Sequence, residues 1–297
     1  MQKEPLSYEN LLEKSKEWNL PFSNILGGAV LEDIVHRISE SGYGEKLYLK
    51  NHSVLGRAQY EKKLILNLEY VYTISKEEDK TEKEIMAELA KGLKEDLFYG
   101  KTDSGIAFYQ RETFSKRFLK LQLLAEVEDM KVPVSLKIFL LREEKRIPQK
   151  ESFACMMYPE ITVSYNSLPT EEILTENFFE IITKLELIAN IGAYYDIYEL
   201  LDKESIDGRK MKEYIDERCG KSGISKEKSL LGFIAGYKNY TYMKKKWKVF
   251  LRSVNSGGPS WETVIERFLN FFGPIWDAVI EDRVFFGDWM PELNRFL

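Results

Sequence analysis

The sequence predicts an α+β protein, with a mixed-sheet domain over residues 1–166 followed by a helical domain over residues 167–297. Three observations carry that expectation. The first half runs strand, helix, several strands, which suits a small mixed sheet with a helix on one face. Pro169 then opens a half in which apolar residues recur at helical spacing. The chain has 297 residues, 44% apolar and 31% charged, enough for one large or two modest domains of ordinary soluble composition.

Taken in order, Tyr8 to Glu17 and Ala29 to Ile38 each carry apolar residues at helical spacing. Gly27-Gly28 reads as the turn entering the second helix, and Ser41-Gly42 as its end. Tyr48-Leu-Lys50 and Leu64–Ile74 read as strands. Ser75 to Thr81 is a charged hinge into a helix running to about Leu97. Its start carries the capping box Thr81-Glu-Lys-Glu84, in which the two side chains satisfy each other's end of the helix backbone. Tyr99-Gly100 ends that helix, and Ile106–Phe114, Phe118–Glu126 and Val132–Leu141 read as strands. Beyond Pro169, Ile173, Leu174, Phe178, Ile181, Ile182, Leu185 and Ile188 share a helical face, and Tyr194–Leu201 forms a second helix. Further helices are expected over Gly208–Cys219, Glu227–Tyr237, Tyr242–Val254 and Trp261–Phe272, the last behind the break and N-cap signal Gly257-Gly-Pro259-Ser260. The apolar tail Phe285–Pro291 is expected to dock on the helical domain.

Bulk chemistry narrows the function. A net charge of −5 excludes a global polycation, so any nucleic-acid surface must be a local patch. Cys155 and Cys219 stand far apart without metal-ligand spacing and read as reduced core thiols. His36 and His52 have no companions at ligand spacing, which argues against zinc. No apolar run approaches the roughly 20 residues of a membrane span, and Met1-Gln-Lys-Glu-Pro5 lacks the apolar stretch of a signal peptide. The expected setting is cytoplasmic, with no membrane partner.

Two segments carry chemistry. One is Leu47-Tyr-Leu-Lys-Asn51-His52-Ser53-Val-Leu55 and the other Leu64-Ile-Leu-Asn67-Leu-Glu69-Tyr70. Residues i and i+2 of a strand project from one face, a spacing at which two polar side chains can act on one ligand. Asn67 and Glu69 keep that spacing with a single carboxylate.

Together these segments resemble the abortive-infection nucleotidyltransferase toxins of the AbiEii/AbiGii type. There the first piece reads roughly Val-Leu-Lys-Gly-Gly-Thr-x-Leu and the second Arg-x-Ser/Thr-x-Asp-Leu-Asp-Phe. In this chain Asn51 and His52 replace the two glycines, Ser53 replaces the threonine, and Asn67 and Glu69 replace the aspartates. Glycines let the backbone approach a triphosphate and offer N–H donors to it, an approach that Asn51 and His52 would crowd. A third family aspartate, in a sequence like Val-x-Ile-Asp-Ile, aligns with Lys137 in Val134-Ser-Leu-Lys137-Ile138. Downstream, Asn177 stands where the family has a phosphate-contacting lysine, about Asn190 where it has an arginine, and Ala193 where it has an aspartate, while Asp196 is kept. The resemblance runs from about residue 30 to residue 201, with a weaker echo to 280.

It implies a nucleotidyltransferase-like sheet domain with catalytic positions Asn67, Glu69, Lys137 and Asp196, and nucleotide-binding positions Asn51, His52, Ser53, Lys63 and Asn177. Because the acidic residues are largely replaced, the implied protein is a binding or regulatory pseudoenzyme of a toxin- or defence-like system, with an antitoxin-like partner and no cofactor. The alternative is an active, Mg-dependent nucleotidyltransferase that relies on Glu69, helped by Glu61 or Asp196, and transfers a nucleotide to RNA or protein. A structural scaffold is a third reading. For Lys137 two readings stay open: it pairs with Glu69 in the metal's electrostatic place, since an ammonium repels a cation and cannot ligate it, or it lies on a solvated sheet face without a partner. A second candidate surface is the run from Gly236 to Arg252, where the Lys244–Lys248 region interleaves bases with aromatic rings as a single-stranded RNA would require. Such a run also describes a helix with its rings in the core and its lysines in water.

Overall fold

The computed structural model describes residues 5–50, 55–56, 60–61, 66–98, 100–101, 105–114, 118–142, 149–253 and 258–297. The chain divides into two compact units, Met1–Leu168 and Pro169–Leu297. Asn51, His52, Ser53 and Lys63 lie outside the described residues.

The first unit contains α1 (Tyr8–Trp18), α2 (Phe22–Glu40), β1 (Leu47–Leu49), β2 (Asn67–Ile74), α3 (Glu82–Asp96), β3 (Gly100–Lys101), β4 (Ile106–Phe114), β5 (Phe118–Val127), β6 (Met130–Arg142), β7 (Gln149–Ala154) and β8 (Thr162–Ser167). These strands form one mixed sheet of eight in the order β3-β4-β5-β6-β2-β1-β8-β7. The expected small sheet is therefore too small. What it lacked is chiefly β7 and β8, whose core-side positions on β7, Gln149, Glu151 and Phe153, are mostly polar and send no apolar alternation signal. β2 and β6 run parallel, a pairing that needs a long crossover, and α3 with β4 and β5 supplies it. The capping box at Thr81 and Glu84 forms, with both reciprocal hydrogen bonds present.

Strict alternation gives the long strands two different faces. Leu119, Leu121, Leu123, Ala125 and Val127 of β5, with Val134, Leu136 and Ile138 of β6 and Leu68 and Tyr70 of β2, are buried in one core with α2 and α3. Arg37 of α2 ties that layer down, pairing with Asp33 at 2.6 Å and donating to the carbonyls of Leu97 and Ile106. α2 begins at Phe22 and runs through Gly27-Gly28, so these glycines are not an entry turn. A Cβ on Gly28 would stand 3.0 Å from the Tyr60 ring, so the glycine there makes room for an aromatic side chain and not for a bend. Glu32, four residues on, is a buried carboxylate that accepts from the Tyr60 hydroxyl at 2.7 Å and from the Met156 N–H at 2.8 Å. Burial pushes its pKa up to about 7, against the smaller lowering effect of those two donors.

The second unit comprises α4 (Thr170–Lys184), α5 (Gly192–Lys203), β9 (Ile206–Asp207), α6 (Gly208–Ser222), α7 (Ser229–Gly236), α8 (Thr241–Ser253), α9 (Trp261–Ile280), β10 (Asp288–Met290) and β11 (Arg295–Phe296), with the last strands pairing in the order β11-β10-β9. Its core is aromatic. Phe178 of α4 stacks on Phe272 of α9 with ring centroids 4.3 Å apart, and Trp276 meets it edge-on. α9 does not stop at Phe272 as expected but continues through Gly273-Pro274 to Ile280. Ile275, Trp276 and Val279 extend the buried stripe by two turns, and that burial outweighs the lost proline hydrogen bond. The tail docks through Trp289, fully buried with its indole N–H on the Leu201 carbonyl at 2.8 Å. Phe286 stays exposed. Cys155 and Cys219 are both free and buried.

Candidate functional site

Asn67 and Glu69 lie on β2, and register brings Lys137 of β6 beside them: Asn67 pairs with Ser135 and Glu69 with Lys137. Cross-strand partners share a face, and here it is the face turned away from α2 and α3. On it the Lys137 ammonium donates to Glu69 Oε1 at 3.0 Å, and the Asn67 amide donates to the same oxygen at 3.2 Å. Of the two readings for Lys137, the geometry selects the ion pair. The pair is half-buried, with side chains 31% and 22% exposed. Lys50, just past β1, donates its N–H to the Glu69 carbonyl at 2.7 Å. Its ammonium stands 5.4 Å from the centre of the Phe139 ring, which itself packs on Phe118.

A divalent cation requires several oxygen ligands. Among these groups only Glu69 supplies a carboxylate, and an ammonium already occupies one of its oxygens. The described residues contain no cluster of three His, Cys, Asp or Glu able to hold a metal ion. The donor set therefore does not fit the two-metal centre of a nucleotidyltransferase. Asn177 and Asp196 belong to the second unit, where Asn177 is buried on α4 and Asp196 is half-buried on α5.

The run around α8 divides differently from the expectation of interleaved stacking rings. Met243 and Trp247 are core residues, and Trp247 donates its indole N–H to the Pro259 carbonyl at 2.9 Å. Lys244 pairs with Glu262 at 2.5 Å, Lys246 donates to the Ile188 carbonyl, and Lys238 pairs with Glu266 at 3.3 Å. Tyr242, Lys245, Lys248 and Arg252 remain exposed. Helical geometry explains the division: every third or fourth residue of an amphipathic helix is drawn into the core, and Trp247 is one of them.

Sequence reading missed Lys120, which the register sets beside Lys137, and Arg111, which lies on the same face one strand and one row further out. Their only sequence signal was the polar half of each strand's alternation, which says nothing of which strands become neighbours. Glu32 was equally missed, although an acid inside the apolar run Ala29–Ile38 was its signal.

No helix among the described residues is long and apolar enough to cross a membrane. No family model matches the chain, and no curated protein matches it. Two solved structures from Helicobacter pylori are similar to it, each at 10% identity. JHP933 is covered over 94% of its length by 89% of this chain, with a TM-score of 0.47. A candidate nucleotidyltransferase is covered over 97% of its length by 89% of this chain, with a TM-score of 0.48.

Proposed function

We propose that the first unit carries a nucleotidyltransferase-type site in which an internal ion pair stands where catalytic metal ions would be bound, making the protein a binding or regulatory pseudoenzyme. One observation carries this: Glu69 Oε1 receives Lys137 at 3.0 Å and Asn67 at 3.2 Å, at the positions that the AbiEii/AbiGii resemblance assigns to the metal-holding acids. Phosphoryl transfer rests on positioning and on electrostatic stabilisation by cations held in place by carboxylates. Here the one carboxylate is satisfied from within the sheet. The same resemblance supports a place in a toxin- or defence-like system with an antitoxin-like partner, and a neighbouring gene for such a partner is the observation that would support it.

Titration calorimetry with ATP, CTP, GTP and UTP in magnesium tests the site. No binding in the micromolar range is expected. Micromolar affinity for any of the four would overturn the pseudoenzyme and favour the active alternative, in which the preserved i, i+2 spacing of Asn67 and Glu69 still serves transfer to RNA or protein.

A further inference from the structure

We infer that the sheet face turned away from α2 and α3 binds a single-stranded nucleic acid along a cationic row built by strand register. The row follows from the pairings. Thr113 of β4 faces Lys120 of β5, Lys120 faces Lys137 of β6, and Lys137 faces Glu69 of β2. Lys50 closes it, since β1 reaches Tyr70 at Leu49 and the Lys50 N–H bonds the Glu69 carbonyl. Five strands at a spacing of about 4.8 Å make a track of roughly 19 Å. The next row, one pleat on, aligns Arg111, Gln122, Ser135 and Asn67.

The charge on this stretch opposes that of the chain. Among the described residues of this stretch, Lys50, Arg111, Lys120 and Lys137 stand against one acid, Glu69, in a protein whose net charge is −5. The more distant Glu126 is matched by its own cross-strand partner Lys131. Lys120 and Lys137 lie directly opposite, an arrangement that like-charge repulsion makes unfavourable in an isolated sheet. Glu69 offsets Lys137, and among the described residues no acid pairs with Lys120 or Arg111. A polyanion laid along the row would relieve the repulsion. Charge complementarity thus names the class of occupant, and an aromatic narrows it. Tyr109, two residues before Arg111 on the same face, is 56% exposed, a free ring beside the track. Cations for phosphates with an exposed ring for base stacking are what a single strand needs, whereas a duplex keeps its bases stacked inside. Binding here requires neither a metal ion nor transfer chemistry, so it stands apart from the fate of the metal site.

Fluorescence anisotropy of the full chain with labelled oligonucleotides of about 15 nucleotides, without divalent cations, tests this. The probes are oligo-U RNA, oligo-dT DNA and a duplex, at salt concentrations of about 50 and 200 mM. Binding of either single strand above the duplex is expected, with RNA-only binding pointing to 2′-hydroxyl contacts and equal binding to phosphate and base contacts alone. Arg111→Glu with Lys120→Glu should weaken binding by more than about tenfold and lower the salt slope by about 2. Tyr109→Ala should weaken it by about tenfold. Lys245→Glu with Arg252→Glu, on α8, should change nothing. Thermal melting establishes that each variant folds, and Lys120→Gln, which keeps the strand pattern, replaces the double variant if that fails to fold. Absence of binding to both single strands, equal binding to the duplex, retention of affinity in the β4–β5 variants, or loss in the α8 variant would each overturn the assignment.

Discussion

The two faces of the same three strands, β2, β5 and β6, are built by opposite rules. On one, Leu68, Leu121 and Leu136 vanish into a core with α2 and α3. On the other, one pleat away, Lys120, Lys137 and Glu69 align as a charged row. The covered face is held by area removed from water, which any well-fitting apolar residue could supply. The open face sets that charged row beside an apolar one, Val71, Phe139 and Phe118, and its charged residues are there because they meet water or a ligand. The difference teaches where substitutions should act. Changes on the covered face should alter stability, and those on the open face should alter binding.

The sharpest way to break that contrast is a pair of truncations on neighbouring strands. Leu136→Ala removes a fully buried side chain and should cost about 2–5 kcal/mol. Lys120→Ala on the opposite face should stay within about 0.5 kcal/mol. Urea unfolding of both measures it, and similar costs would erase the distinction between the faces.

Glu32 sharpens the contrast by placing an ionisable group on the covered side. Its folded pKa is raised from 4.5 to about 7, so the folded protein holds a proton that the unfolded chain releases. Stability from this group is therefore fully present below about pH 4.5 and is lost as pH rises through about 7, by on the order of 3 kcal/mol in total. Glu32→Gln should abolish that decline while keeping an acceptor for the Met156 N–H. Unfolding curves across the window compare the two proteins, and parallel pH profiles would show that burial does not raise Glu32.

A smaller effect is expected at Lys137. A fully buried pair broken at one partner would cost roughly 3–5 kcal/mol, but these side chains are 31% and 22% exposed, and Glu69 keeps the Asn67 amide. Lys137→Met should accordingly destabilise by about 1 kcal/mol. A loss several times larger in urea unfolding would mean that the open face shares the electrostatics of an interior.

Legibility followed the same division. Apolar periodicity marked β4, β5, β6 and most helices, because burial writes itself into the sequence at period 2 or 3.6. It failed at β7, whose core-side Gln149 and Glu151 break the signal, and at Gly27-Gly28, where glycines normally read as turns yet here admit the Tyr60 ring. Asn67, Glu69 and Lys137 could be grouped from motif order, because a parallel β2–β6 pair sets them side by side. The adjacent rows through Lys120 and through Arg111 could not, since register is fixed by pairing across the whole sheet and no local pattern encodes it.

The central claim is that Lys137 holds the place of a metal ion against Glu69. Its most direct test is thermal melting of the wild type, Lys137→Asp, and the double variant Asn67→Asp with Lys137→Asp, each with and without Mn²⁺ or Mg²⁺. The wild type should ignore the metal. Lys137→Asp alone should melt lower in metal-free buffer, because two carboxylates then face each other without a cation, and the double variant, with three acids on one face, should gain a few degrees, about 3 °C or more, when metal is added. Lys137→Asp melting with the wild type, together with a double variant indifferent to metal, would contradict the claim that this ion pair descends from a metal site.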